Sequence, residues 1–247
     1  MNYTTTAIIT QKTDWKESSA IVQCFSLNFG FISFIVHGLK QARNPNQDAM
    51  QLYNELELKL TKGANAELYV LQSCSVVNRY SQNNSFKQLV CLSAVIELLR
   101  NIYISDEEIN NVYNYTKRFF LFAKTIESLY LVYFARFSFN LLRIINPHIT
   151  SIPCDYCQSE TNHIVALDEN DLAVCSVCTK DNAQVDTIEM LDSTLNFILY
   201  YPNAFWNMIE NLQESELFIN HFKRLLNKIF VVHYNKPIKL KALDLYY

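Results

Sequence analysis

Two C-x-x-C pairs, Cys154-Asp155-Tyr156-Cys157 and Cys175-Ser176-Val177-Cys178, stand seventeen residues apart in a chain of 247 residues. No other feature restricts the fold as strongly, because four sulfur ligands at this spacing converge on one point. Each pair makes a tight knuckle that offers two thiolates to one ion, and the segment between them is long enough to leave, form a short hairpin and return. The expectation is one structural Zn2+ held by Cys154, Cys157, Cys175 and Cys178 in an inserted unit of about residues 150–182, with His163 to Asp168 as one of its strands. Four ligands close the shell, leaving no position for substrate or water, and the metal takes the place of a core that so small a unit cannot build. Two disulfides are the competing reading, and they need an oxidising compartment. The N-terminus, Met1-Asn2-Tyr3-Thr4-Thr5-Thr6, shows no basic stretch followed by an apolar run, so the chain reads as cytoplasmic and reduced. His163 could replace a cysteine as ligand, but four cysteines already fill the site.

The three glycines, Gly30, Gly38 and Gly63, all fall in the first quarter, and so do most strand signals. Thr4 to Lys12, Ser19 to Phe25 and Phe31 to His37 are short β-branched or apolar runs, with Asn28-Phe29-Gly30 as a hairpin connection between the second and third. Leu52 to Leu60 alternates, with Leu56, Leu58 and Leu60 on one face and Glu55, Glu57 and Lys59 on the other; Ala66 to Val77 is a fifth strand. Five strands in so few residues fit a small closed barrel of the OB type better than an open sheet with exposed edges. Gly38 to Asp48, between the third and fourth strands, is polar and broken by Pro45, and reads as a mobile loop.

From Ser85 the period changes to three and four, predicting a helix over residues 85–101. Ser105 and Glu108 resemble a capping box opening a second helix, and Lys117 to Ile145 is one or two helices apolar on almost every face. Thr187 to Tyr201 and Glu214 to Tyr234 are further helices, and Lys236 to Lys241 a loosely held basic tail. No glycine occurs beyond Gly63, in keeping with a helical remainder. The fold class is therefore α+β: an N-terminal OB-type five-stranded β-barrel over residues 1–80, then an α-helical domain over residues 81–247 carrying the four-cysteine zinc unit.

With three scattered glycines, neither phosphate-cradling motif can exist, so nucleotide hydrolysis and dinucleotide chemistry are excluded; zinc protease and deaminase signatures are absent. The apolar stretch Phe119 to Ile145 is broken by Lys124, Glu127, Arg136 and Arg143 and is not a membrane span. The three thiols Cys24, Cys74 and Cys91 read as inert core residues. Net charge is −3, but residues 1–80 carry seven Lys/Arg against six Asp/Glu, residues 81–153 seven against five and residues 154–247 seven against thirteen. A polyanion would meet the N-terminal side. There Lys12, Lys16, Lys40, Arg43 and Arg79 lie at predicted strand ends and loops, and Trp15, Phe29 and Phe31 could offer stacking faces; Trp15 is the one expected to be exposed. In the helical part Lys117, Arg118, Lys124, Arg136 and Arg143 are cations on an apolar background. They either snorkel or pair with Glu127 and its neighbours, or some of them rim an apolar groove for a peptide ending in a free carboxylate.

A barrel, a helical remainder and an inserted four-cysteine unit together resemble the RecO family of bacterial recombination mediators. Three stretches are similar to family motifs: Asp14-Trp15-Lys16-Glu17-Ser18-Ser19, Asn28-Phe29-Gly30-Phe31-Ile32-Ser33 and His37-Gly38-Leu39-Lys40-Gln41-Ala42-Arg43. Two departures stand out: the basic cluster of the third is diluted to Lys40 and Arg43, and the glycines that commonly flank the cysteines are replaced at Gln158 and Asp171 to Ala173. The resemblance implies a non-enzymatic, nucleoid-associated bacterial protein that binds single- and double-stranded DNA, for which the strand-end and loop positions Lys12, Trp15, Lys16, Lys40, Arg43 and Arg79 are the expected contacts. It implies annealing of strands coated by single-strand binding protein (SSB) and, with RecR, assistance in loading RecA. The SSB C-terminal tail would be the peptide for Arg118, Lys124 and Arg136. The competing class is a zinc-stabilised protein-interaction or transcriptional adaptor that binds no DNA; a zinc nuclease lacks the carboxylate cluster it would need.

Overall fold

The computed structural model describes all residues except 65, 83, 150, 161–162, 182–187 and 247. Packing divides it into two compact units, residues 1–92 with 102–125 and residues 93–101 with 126–247, so residues 102–125 go with the barrel, past the boundary that composition marks at residue 80.

In the first unit, strand β1 (Asn2–Trp15) is long enough to serve two neighbours. Asn2 to Ile8 pair with β4 (Asn54–Thr61), and Ala7 to Trp15 with β2 (Ser19–Ser26). A register shift between Ile9 and Gln11 falls where the strand changes partner, as a bulge that bends it should. β3 (Gly30–Val36) follows β2 through a tight turn closed by Gly30 at φ +63°, a conformation side chains disfavour. β5 (Tyr69–Arg79) completes the ring, antiparallel to β4 and parallel to β3. The closed order β1-β2-β3-β5-β4 is that of an OB-type barrel and leaves no open edge.

Ala7, Ile9, Val22, Cys24, Phe34, Leu56, Leu58 and Leu60 fill the interior. Residues 38–48, read from sequence as a mobile loop, are instead the start of a plug. Leu39, Ala49 and Met50 are buried in the barrel core. Gln47 Nε2 donates to the carbonyls of Leu39 (3.0 Å) and Gln41 (2.9 Å), and Asn54 Nδ2 to those of Asp48 and Ala49 (3.0 Å each). The polar composition concealed three apolar side chains at the spacing needed to close one end. β4 also departs from its expected alternation: Glu57 and Lys59 are exposed, but Glu55 is fully buried.

Helix α1 (Phe86–Asn101) begins in a complete capping box, Ser85 accepting from the Gln88 amide while the Gln88 side chain accepts from the Ser85 amide. Gln88 Nε2 also donates to the Ala123 carbonyl at the end of α2 (Ile109–Ala123). α2 starts three residues later than a full capping box would place it. Glu108 accepts from the Ser105 amide, but the Ser105 hydroxyl donates to that carboxylate rather than accepting from the helix. The apolar stretch Lys117 to Ile145 is two helices, with Leu129 in a left-handed turn (φ +56°) before α3 (Tyr130–Ile145).

In the second unit, β6 (Ile164–Leu167), β7 (Ala173–Cys175), the single turn α4 (Cys178–Asp181) and β8 (Glu189–Met190) form the insert, with sheet order β7-β6-β8. The helix expected from Thr187 begins only at α5 (Ser193–Tyr200), because Asp192 accepts the amides of Thr194 and Leu195 as its N-cap and Glu189–Met190 pair with β6. Thr187 itself and the expected insert limits, residues 150 and 182, lie outside the described residues. α6 (Phe205–Met208) and α7 (Glu216–Tyr234) follow, and Phe222 of α7 packs edge-on against Phe134 and Phe139 of α3. The basic tail is not loose: Ile238, Leu240, Leu243 and Tyr246 are buried, and the Ala242 amide donates to Glu97. Among the described residues no helix is long and apolar enough to cross a membrane.

Candidate metal centre and nucleic-acid interface

Cys154 and Cys157 lie on the turn that enters the insert, Cys175 ends β7 and Cys178 opens α4, so the β6–β7 hairpin returns the chain to its starting point. The four Sγ atoms lie within 4.8 Å of one another. Cys157 and Cys175 are 3.8 Å apart, far beyond a disulfide and equal to the roughly 3.8 Å edge of a tetrahedron with 2.3 Å metal–sulfur bonds. Backbone bonds shape the knuckle: the Gln158 amide donates to the Cys154 carbonyl (2.8 Å), the Asp155 amide to the Ala173 carbonyl (2.9 Å), and the Ala173 amide to Asp155 Oδ2 (2.6 Å). The two positions where the resemblance led us to expect glycine, Gln158 and Asp171, both adopt left-handed conformations (φ +57° and +61°). The turns that glycine would favour are therefore present without it.

The electrostatics fit a cation. Burial pushes the Cys175 thiol up, but the amides of Cys178 and Val177 and the neighbouring thiols outweigh it and bring it down to about 6. Its neighbour Cys178 is pushed up to about 12, first by its bond to the Cys157 sulfur and then by burial. Four thiolates this close repel one another unless a positive ion sits among them. These four residues could hold a metal ion; His163 is no part of the group and stacks instead on Tyr200, ring centroids 4.0 Å apart.

Helix α7 grips the insert, which the sequence reading did not foresee. Arg224 reaches Asp171 (2.5 Å), Glu189 (2.7 Å) and the Asp168 carbonyl (2.6 Å), and Lys228 reaches Asp155 (2.7 Å). Buried His221 accepts the Asp192 amide on Nδ1 at 3.0 Å and directs Nε2 to Glu189 at 3.1 Å. The helical spacing of these three residues on one face was the signal available.

On the barrel, part of the predicted basic set is gathered. Lys40 Nζ lies 3.0 Å from Asp14 and 3.5 Å from the Lys16 carbonyl, Lys16 Nζ sits 4.1 Å from the centroid of Trp15, and the Lys40 amide donates to the Ser18 carbonyl. Trp15, Lys16 and Lys40 therefore share one edge, where the β1–β2 turn meets the plug. Trp15 is half-buried rather than exposed, with the Lys16 ammonium over its ring. Arg43 is exposed on the plug and Lys12 exposed on β1. Arg79 is drawn into an ion pair with Asp48 at 2.6 Å, and its carbonyl accepts from Lys124.

The cations of the helical stretch are divided. Arg118 and Lys124 belong to the first unit, at α2 and its C-cap, whereas Arg136 is on α3 in the second. There its guanidinium lies 4.6 Å from the ring of Phe205 and 5.2 Å from that of Trp206, which is 53% exposed. Lys117 is not at a groove rim. It lies 2.8 Å from Glu55, whose carboxylate also accepts from Tyr113 (2.9 Å), Tyr80 (2.7 Å) and Asn78 (2.5 Å). Burial pulls the Glu55 carboxyl up, but these four bonds outweigh it and hold it below the usual carboxylate range. Glu55 was missed because alternation alone placed it outward; α2 covers that face.

An OB-type barrel together with a helical unit that carries a four-cysteine cluster defines the class. Residues 1–80 match the family of the recombination protein O N terminal domain. Over 96% of its length the chain is 25% identical to the DNA repair protein RecO of Mycoplasma mycoides subsp. mycoides, covering 93% of that protein. It is 24% identical to the DNA repair protein RecO of Mycoplasma capricolum subsp. capricolum, over 100% of this chain and 96% of that protein. The chain is thus similar to RecO DNA repair proteins over nearly its whole length, with the family-model match confined to residues 1–80.

Proposed function

We propose that the protein is a non-enzymatic mediator of recombinational repair in the bacterial cytoplasm, associated with the nucleoid. It binds single- and double-stranded DNA through the barrel, anneals complementary strands coated by single-strand binding protein, and with RecR promotes RecA loading. The observation that carries the DNA-binding part is the shared edge of Trp15, Lys16 and Lys40 beside exposed Arg43, a basic and aromatic surface on an OB-type barrel. Lys12 and Arg79 complete the set, Arg79 once a phosphate competes with Asp48 for its guanidinium.

One Zn2+ in the four-cysteine site supplies structure, in keeping with four sulfurs within 4.8 Å of one another, a number that fills a tetrahedral shell. Within the second unit, Arg136 beside exposed Trp206 offers both charge and apolar contact for the acidic C-terminal tail of single-strand binding protein.

The test is oligonucleotide binding against salt. Affinity is expected to fall steeply with ionic strength, and a Lys40→Glu/Arg43→Glu variant to bind more weakly with a shallower salt slope. A wild-type protein that binds no oligonucleotide at low salt would overturn this reading in favour of an adaptor.

A further inference from the structure

The two ends of the barrel are finished differently. One carries the aliphatic plug of Leu39, Ala49 and Met50. At the other, the last inward-facing side chains of β1 and β5 are Tyr3 and Tyr69, packed on the core yet partly exposed. Their rings meet edge to face, centroids 5.2 Å apart at 89°, and Phe29 from the β2–β3 turn meets Tyr3 at 5.9 Å and 86°. Phe29 is 38% exposed on a turn tip, where burial cannot account for a large apolar side chain.

Positive charge lies at the same place, with Lys62 Nζ 4.8 Å from the centroid of Tyr69. A lid that only sealed the core would serve best as aliphatic packing, as at the plugged end. Aromatic rings left partly open beside an ammonium group are what an unpaired base and its phosphate contact.

We infer that this end of the barrel is a second seat for single-stranded nucleic acid: a base stacks among Phe29, Tyr3 and Tyr69, and Lys62 meets the adjoining phosphate. The inference rests on the DNA-binding reading above and adds a position away from the β1–β2 turn. It also sets a preference, because a base inside a duplex has both faces occupied by its neighbours.

Two measurements on the full chain test it. Photocrosslinking of the wild-type protein to an oligothymidylate carrying one 5-iodouracil, followed by peptide mapping, is expected to label Tyr3, Phe29 or Tyr69; labelling confined to residues 12–43 outside Phe29 overturns it. In titrations, Phe29→Ala is expected to weaken single-strand binding about tenfold, within the range of one stacked base, and duplex binding less than twofold. Lys62→Glu is expected to lower single-strand affinity and the salt slope together. Phe29 is exposed, so its loss leaves the core intact. Unchanged single-strand binding, or equal losses on both substrates, overturns the second seat alone, provided the wild-type protein binds. No binding by the wild-type protein overturns both this inference and the reading beneath it.

Discussion

The barrel and the cysteine insert each hold short strands in place, and they do it by opposite means. The barrel has strands of 7 to 14 residues wrapped around an apolar interior, so hydrophobic burial holds it and its polar exceptions must be satisfied in full. Glu55 is such an exception, buried with four partners. The insert has strands of four, three and two residues, with Ile164, Leu167 and Val174 among its few buried apolar side chains. It relies on four sulfurs from within and on Arg224 and Lys228 from α7. Where apolar area is scarce, directed bonds to few atoms replace it, and the structure becomes sensitive to single residues.

The largest effect should come from the metal site. Cys154→Ser, or exhaustive chelation, is expected to abolish stoichiometric metal in elemental analysis and to remove hydrogen-exchange protection from Ile164 to Cys175, with barrel amides still protected. Apparent zinc-binding energies of about 10–16 kcal/mol in small structural sites set the scale. Next is the buried carboxylate. Lys117→Met leaves Glu55 without its cation and should destabilise the first unit by about 3–5 kcal/mol in denaturant unfolding, whereas Glu55→Gln/Lys117→Met should recover most of that loss. If the single variant were as stable as the wild type, the barrel would not need its polar exception satisfied.

Arg224→Ala removes three contacts at once from a part-exposed position. It should destabilise the insert by about 2 kcal/mol and increase hydrogen exchange there even with the metal bound. An unchanged exchange pattern would show that the metal alone holds the insert. The smallest effect expected is a gain: Gln158→Gly relieves a left-handed side-chain position and should stabilise the insert by about 0.5–1 kcal/mol, read as a raised midpoint of metal-dependent unfolding.

Much of the architecture was legible from local patterns. Cysteine spacing located the four-sulfur cluster, Leu56, Leu58 and Leu60 gave the inner face of β4, and Ser85 marked the start of α1. The errors share a cause: each residue took its environment from a segment distant in sequence. Residues 38–48 are polar on average, yet Leu39 enters the barrel. Lys117 was expected to snorkel or to pair with Glu127 and its neighbours, but it pairs with Glu55, and residues 236–241 looked loose although Ile238 and Leu240 are buried.

Spacing and periodicity are short-range codes. They specify which residues share a strand face, a helix stripe or a metal knuckle, because backbone geometry fixes those relations within a few positions. From the chain alone one could therefore read five strands, a helical remainder and four clustered sulfurs. Which faces become covered was another matter. That Glu55 is buried by α2, that the barrel is plugged at one end and aromatic at the other, and that α7 clasps the insert all depend on contacts between remote segments. Such contacts are chosen by total burial and charge pairing across the folded chain, and no local repeat records them.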